Sequence, residues 1–152
     1  MRRQTRRERG AELIEMALVL PLLLAVIAGI VDFAFLFQRF LVLNNAAREG
    51  ARVAVLPGYL PAGTGGTVDT SAVTSRVQAY VREGIGDESI TPSTQVEFVD
   101  APGITPTVRM VRVTSSISYE YLILGPLAAL IGGDFDSVDL TARATMRLEA
   151  EP

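Results

Sequence analysis

The residues best placed to do chemistry lie where an arginine-rich leader segment, residues 1–10, meets an apolar segment. Gly10 is the last residue of the leader segment MRRQTRRERG, and Glu15 lies five residues later within AELIEMALVLPLLLAVIAGIVD. A carboxylate near the edge of a membrane-length segment is costly, so its presence points to a function. If the peptide bond after Gly10 is cut, the new ammonium of Ala11 lies about one helical turn from Glu15. Glu15 can then neutralise that ammonium or the same group of a neighbouring subunit, which fixes register.

A long helix has to carry these residues. Crossing a bilayer core takes roughly 20 apolar residues, and residues 13–37 suffice if Glu15 and Asp32 lie near the two interfaces. Five arginines precede this apolar segment, so the positive-inside rule places the N-terminus in the cytoplasm and the chain after about residue 38 outside. We predict a single pass at about residues 13–37.

Two other interpretations of the N-terminus stay open. A removed secretory signal peptide needs a shorter apolar region and a small-residue cleavage site. The segment here is longer and has no clear site of that kind. An uncleaved signal anchor needs no such site, and Glu15 would then extend its carboxylate to the membrane interface.

The helix is predicted to run from about residue 12 to about residue 55, because residues 39–55 contain no proline and place small residues on one face at helical spacing. On the other side of this helix, Glu49 is placed to pair with Arg52 three residues later. Small residues let a helix or sheet approach closely. In the apolar segment, one proline is tolerable in a membrane helix, and an alanine and a glycine four residues apart would allow helix packing, although ordinary membrane composition also explains that pair. The candidate packing positions are Pro21, Ala25, Gly29, Ala47, Gly50, Ala51 and Ala54.

Residues 57–152 are predicted to form a small α+β head. Gly and Pro in residues 57–67 indicate a loop, and an apolar stripe indicates a helix at about 69–84 that Gly84 closes. Alternating residues predict strands at 94–99, 108–122 and 138–148, with a helical turn at 125–131. Ser115, Ser116 and Ser118 of the second strand are expected to be exposed or half-buried and not to act as nucleophiles. The fold class is therefore α+β: a long N-terminal helix, first transmembrane and then amphipathic, packed through residues 39–56 on a small antiparallel sheet with one or two further helices.

Composition argues against several other functions. The chain has no Cys and no His, which removes disulfides, thiol nucleophiles and the commonest general base. The leader segment 1–10 carries a side-chain charge of about +4, while the whole chain carries −3. The remainder is therefore acidic and unsuited to binding nucleic acid. We expect no enzymatic activity, no cofactor and no small-molecule substrate.

One acidic loop raises the question of calcium. Asp134, Asp136 and Asp139 follow two glycines, and clustered carboxylates are calcium ligands. The remaining ligands, the Gly and the Glu of a calcium loop are missing. We expect a turn before the last strand and no metal site, and calcium binding stays untested.

The run GAELIEMALVLPLLLAVIAGIVDF followed by NNAAREGARVAVL resembles the TadE-like pseudopilins of the tight adherence (Tad, or Flp) pilus, a type IV pilus system. The matching residues are Gly10, Glu15, 17–21, 29–33 and 45–52. Met16 stands where the family usually has Phe or Tyr, and Asp32 stands where Glu is frequent.

The resemblance implies a pilin-like fold and a minor pilin or pseudopilin of the bacterial inner membrane. It implies cleavage after Gly10 by a prepilin peptidase, an extracytoplasmic head, and packing among other pilin subunits at the pilus assembly platform. Localisation in the extracellular pilus after assembly, with roles in adhesion and secretion, belongs to the same expectation. The alternative is an uncleaved single-pass anchor carrying an extracytoplasmic accessory or binding domain.

Overall fold

Three helices and three strands make up the described part of the chain. The structure, a computed structural model, describes residues 4–56, 70–100, 109–130, 132–133 and 137–148, with side chains from Gly10 onward. The elements in chain order are α1 (Gln4–Ala54), α2 (Thr70–Ile85), β1 (Ser93–Asp100), β2 (Arg109–Tyr119), α3 (Leu124–Leu130) and β3 (Val138–Arg147). The α+β class with a long N-terminal helix is confirmed.

Two compact units divide the chain. The first unit comprises Met1–Phe35 and Glu120–Asp136, and the second comprises Leu36–Tyr119 and Ser137–Pro152. Helix α1 contributes its N-terminal part to the first unit and its C-terminal part to the second. The first unit also contains α3, and the second contains α2 and the three strands.

Helix α1 is a continuous helix of 51 residues. It begins at Gln4, not near residue 12 as predicted, because Arg, Gln and Glu are good helix formers and residues 4–11 contain no proline. Pro21 lies inside it. From Gly10 to Ala54 it is long and apolar enough to cross a membrane, and little of its most apolar stretch is buried.

The sheet of the second unit has the order β1-β2-β3, and both strand pairs are antiparallel. Val113 at the centre of β2 is paired with Val96 of β1 and Ala144 of β3. Side chains alternate between the two faces of a strand, and the buried face of β2 consists of Val111, Val113, Ser115, Ile117 and Tyr119.

Ser115 is a correction to the sequence analysis, in which the serines of this strand are expected to be exposed or half-buried. Ser115 is fully buried, because it shares the face of Val113 and Ile117. Its hydroxyl has no hydrogen-bond partner among the described residues, and neither has the hydroxyl of Thr94, which lies opposite it on β1. An unpaired buried hydroxyl costs about 1–3 kcal/mol, so this pair is a weak point of the sheet.

Helix α2 buries three members of the predicted apolar stripe, Val73, Val77 and Val81, while the fourth, Tyr80, is half-buried. The end of the helix differs from the prediction. It ends at Ile85, and Gly86 adopts a left-handed φ of 73°. The Gly86 amide donates to the carbonyl oxygen of Arg82 at 2.8 Å, which is how a glycine closes a helix. Gly84 has another role: a Cβ there would lie 2.6 Å from Cγ1 of Val42 on α1, so the glycine permits a close helix–helix approach.

Candidate functional site

The predicted processing residues lie on an open face of α1. Gly10 is half-buried and no atom lies within 4 Å of a Cβ built on it. Ala11 and Glu15 are exposed. Glu15 forms no ion pair with any described side chain. The carboxylate is therefore available to a group from outside the chain.

Glu15 stands on an almost wholly apolar surface. The aliphatic side chains beside it are more than half exposed, including Leu13 at 68% and Leu18 at 73%. Exposed large apolar side chains continue along α1 as far as Leu41. Such a surface suits lipid or other apolar helices, and a carboxylate within it requires a cationic partner.

The candidate packing positions fall into two groups. In the second unit Ala47, Ala51 and Ala54 have no exposed surface, and Gly50 is also buried. A Cβ on Gly50 would lie 2.5 Å from Cγ2 of Val77 on α2 and 3.4 Å from Cγ1 of Val113 on β2. These four positions are filled by the chain's own fold.

The second group lies in the apolar segment and remains accessible. Pro21 is exposed, whereas Ala25 and Gly29 are half-buried. A Cβ on Gly29 would meet no atom within 4 Å. Of the seven predicted positions, these three are therefore the ones at which a neighbouring subunit could pack.

Asp32 makes contacts that the sequence analysis did not identify. It is 1% exposed. Its Oδ1 accepts hydrogen bonds from the amides of Leu122 at 2.9 Å and Ile123 at 3.1 Å, and its Oδ2 accepts from Ile123 at 3.2 Å and Leu124 at 2.7 Å. We call these four bonds the Asp32 cap, because they satisfy amides at the start of α3 that have no acceptor within the helix.

The Asp32 cap explains why an acid is tolerated in this segment. A buried carboxylate is stable when several backbone amides donate to it, and the positive end of a helix favours it further. The only sequence signal was an acid between Val31 and Phe33 in an apolar context, which predicts a partner. The partner itself is a set of backbone amides about 90 residues away, which no side-chain pattern reveals.

Glu49 joins α1 to α2 within the second unit. Its carboxylate accepts two hydrogen bonds from Arg52, both at 2.9 Å, and two from Arg76, at 3.0 and 3.2 Å. The predicted pairing of Glu49 with Arg52 is confirmed. Arg76 was missed, since it lies 27 residues further along the chain. The hydrogen bonds from Arg52, and then those from Arg76, lower the pKa of Glu49 to about 2.

A pH-dependent contribution to stability follows from Glu49. Its pKa falls from 4.5 in the unfolded chain to about 2 in the folded chain, so the contribution is complete above pH 4.5 and is lost as the pH falls toward 2. Both arginines are more than half exposed, so solvent screening reduces the contribution to about 1 kcal/mol. We expect Glu49→Gln to lower the unfolding free energy by that amount at pH 7 and to flatten its pH dependence between pH 4.5 and 2.

Denaturant unfolding of the full chain in detergent, followed across this pH range, measures the effect. Glu83→Gln is the matched control, because Glu83 is an exposed acid on α2 without an ion pair to a described residue. The same pH dependence in Glu49→Gln as in the unsubstituted protein would contradict the prediction.

No group of three or more acids suited to a metal ion occurs among the described residues. Asp139 is exposed at the start of β3, and Asp134 and Asp136 lie outside the described part of the chain. The question of calcium in this loop is therefore untested.

A comparison with protein families matches residues 10–52 to TadE-like proteins. Neither a curated protein nor a solved structure matches the chain. The matched range contains Gly10, Glu15, Asp32, Glu49 and Gly50, so it includes the open face of α1 and the positions that hold α1 in both units.

Proposed function

Because residues 10–52 of this chain match TadE-like proteins, we propose that it is a minor pilin or pseudopilin of a bacterial tight adherence pilus. A prepilin peptidase cuts after Gly10, and Ala11 becomes the mature N-terminus. The N-terminal helix then packs among other pilin subunits at the pilus assembly platform. The role is structural and includes no catalysis.

The observation that carries this proposal is the position of Glu15. It lies on an exposed apolar face of α1, five residues after Gly10. Lipid alone offers no counter-charge for a carboxylate at this position. Once residues 1–10 are removed, the ammonium of Ala11, or that of an adjacent subunit, supplies this counter-charge.

The membrane placement rests on composition. Helix α1 is long and apolar enough to span a bilayer once, and five arginines precede the apolar segment. We place the protein in the inner membrane with its N-terminus cytoplasmic and its head extracytoplasmic. Cleavage removes those arginines, which otherwise oppose extraction of the N-terminus from the cytoplasmic face.

The rival function is an uncleaved anchor that carries an extracytoplasmic accessory or binding domain. The continuity of α1 across Gly10 favours it, because a regular helix presents no extended segment to a peptidase. Under this alternative residues 1–10 remain attached, and Glu15 pairs with no new amino terminus.

Intact mass measurement of the protein purified from its native host separates the two functions. Ala11 as the first residue supports the pilin, whereas a chain that still begins with Met1 overturns it. The same measurement in a strain that lacks the prepilin peptidase tests which enzyme cuts.

The substitution Glu15→Ala tests the role in assembly. Loss of a buried charge pair costs several kcal/mol, so we expect normal cleavage but at least about tenfold less protein in sheared pili. Glu12→Ala is the matched control, because Glu12 is also exposed and lies one turn earlier. Normal assembly of the Glu15→Ala protein would contradict the register role.

A further inference from the structure

Residues 122–130, which comprise α3 and the two residues before it, expose an unusual amount of aliphatic surface. Leu122 is 61% exposed and Leu130 is 82% exposed, with Ile123 and Leu127 at 37% and 38%. The chain carries no charge from residue 121 to residue 133. Clustered aliphatic side chains of this kind are rare on a surface that faces only water.

The Asp32 cap determines where this surface lies. Three consecutive amides, from Leu122 to Leu124, bind the carboxylate of Asp32. Asp32 is near the C-terminal end of the apolar segment of α1. The first turn of α3 is therefore held beside the end of the membrane-length part of α1, within the same unit.

Burial indicates that the packed surface of α1 extends from Asp32 toward the middle of the apolar segment. Ala28, one turn nearer the N-terminus, is 6% exposed, and Ala128 in α3 is 5% exposed. The neighbouring apolar side chains of α1 remain open, with Ile30 at 64% and Phe33 at 66%. The exposed aliphatic residues of α3 thus lie near an apolar surface already suited to lipid.

We propose that residues 122–130 form an interfacial element that inserts its aliphatic side chains among the acyl chains of the extracytoplasmic leaflet. This inference rests on the membrane placement proposed above. Continuity with the apolar surface of α1 and the absence of charge identify lipid as the occupant. Amphipathic helices that lie in the membrane interface bury their apolar side chains to about 5–10 Å, and we expect a similar depth for this element.

The absence of tryptophan from the chain allows single-tryptophan reporters. Leu127→Trp and Leu130→Trp report on α3, Leu23→Trp reports on the apolar segment of α1, and Phe98→Trp on β1 is the control. All four positions are more than a third exposed, so the larger side chain fits at each. The full chain carrying each reporter is reconstituted in phosphatidylcholine–phosphatidylglycerol vesicles.

Two quenchers distinguish the occupants. Lipids brominated near the headgroup or near the chain terminus quench a tryptophan in the bilayer, and aqueous iodide quenches one in water. We expect Leu127→Trp and Leu130→Trp to be quenched at least about twofold more by headgroup-proximal bromine than Phe98→Trp. We expect Leu23→Trp to respond most to bromine near the chain terminus.

The other possible results contradict either the interfacial element, lipid as its occupant, or the membrane placement. If Leu23→Trp is quenched by lipid while the α3 reporters respond to iodide as Phe98→Trp does, the inference fails and the membrane anchor stands. If the α3 reporters are shielded from both quenchers, a second copy of the chain covers them and lipid does not. If Leu23→Trp escapes lipid quenching, the proposed membrane placement itself is wrong.

Discussion

Replacing Asp32 with alanine is expected to release the start of α3 and to lower its local stability by about 3 kcal/mol. Three amides lose a charged acceptor at a site where Asp32 is 1% exposed. A buried donor left without a partner costs about 1–3 kcal/mol, and bonds to charged acceptors are at the upper end. Hydrogen exchange at the amides of residues 122–124 should therefore accelerate about 100-fold.

Two variants make this experiment specific. Asp32→Asn keeps the size of the side chain and one acceptor oxygen, so its exchange should be intermediate. Asp139→Ala removes an exposed acid in the second unit and should leave these amides unchanged. Exchange of the β2 amides should not accelerate in Asp32→Ala. Unchanged protection of residues 122–124 in that variant would show that the Asp32 cap contributes nothing.

Gly50→Ala is expected to destabilise the second unit by about 2 kcal/mol. The new Cβ would lie 2.5 Å from Cγ2 of Val77, a fully buried residue, and 3.4 Å from Cγ1 of Val113. Valine in a helix has essentially one side-chain rotamer, so Val77 cannot turn away. Overpacking typically costs 1–3 kcal/mol, and a clash this close exceeds the gain of about 1 kcal/mol from replacing glycine in a helix.

Gly29→Ala is the matched control on the same helix. No atom lies within 4 Å of a Cβ at this position, so this variant should gain up to about 1 kcal/mol. Denaturant unfolding in detergent measures both variants. Equal stability of the two would contradict the packing argument. Because Gly29→Ala leaves the fold intact, any loss of assembly in it reports a contact with another subunit.

A double-mutant cycle identifies the clash. Val77→Ala alone leaves a cavity and is expected to cost a few kcal/mol. In the Gly50→Ala background the same change makes room for the new methyl group, so its cost should fall by at least about 1 kcal/mol. Additive effects would place the strain elsewhere.

The elements of the fold could be predicted because their signals are local. Alternation along residues 138–148 predicted β3 to within one residue, and the valine stripe of α2 did nearly as well. Ser115 was misplaced because its polar character was weighed above its position in the alternation. Gly84 was taken as the end of α2 because a glycine that permits close packing and one that closes a helix look alike in a sequence.

The contacts of the site were harder to predict because they join distant parts of the chain. Glu49 and Arg52 are three residues apart on one helix, and that pair was predicted. Arg76 reaches Glu49 only after α1 and α2 pack, and the Asp32 cap uses backbone amides that every residue except proline has. The division of the small residues into a filled and an open group likewise depends on where α2 and β2 pack on α1.

The continuity of α1 through Gly10 bears on how the proposed cleavage can occur. A peptidase active site takes up an extended backbone, so several residues on either side of Gly10 must first unwind. Unwinding breaks helical hydrogen bonds, which is expensive in lipid and cheaper at the watery edge of the bilayer. Glycine weakens a helix by about 1 kcal/mol relative to alanine, so its presence makes that opening about five times more frequent. The flexible backbone of glycine is then one reason for a glycine at position 10, independent of how well a small residue fits the active site of the peptidase.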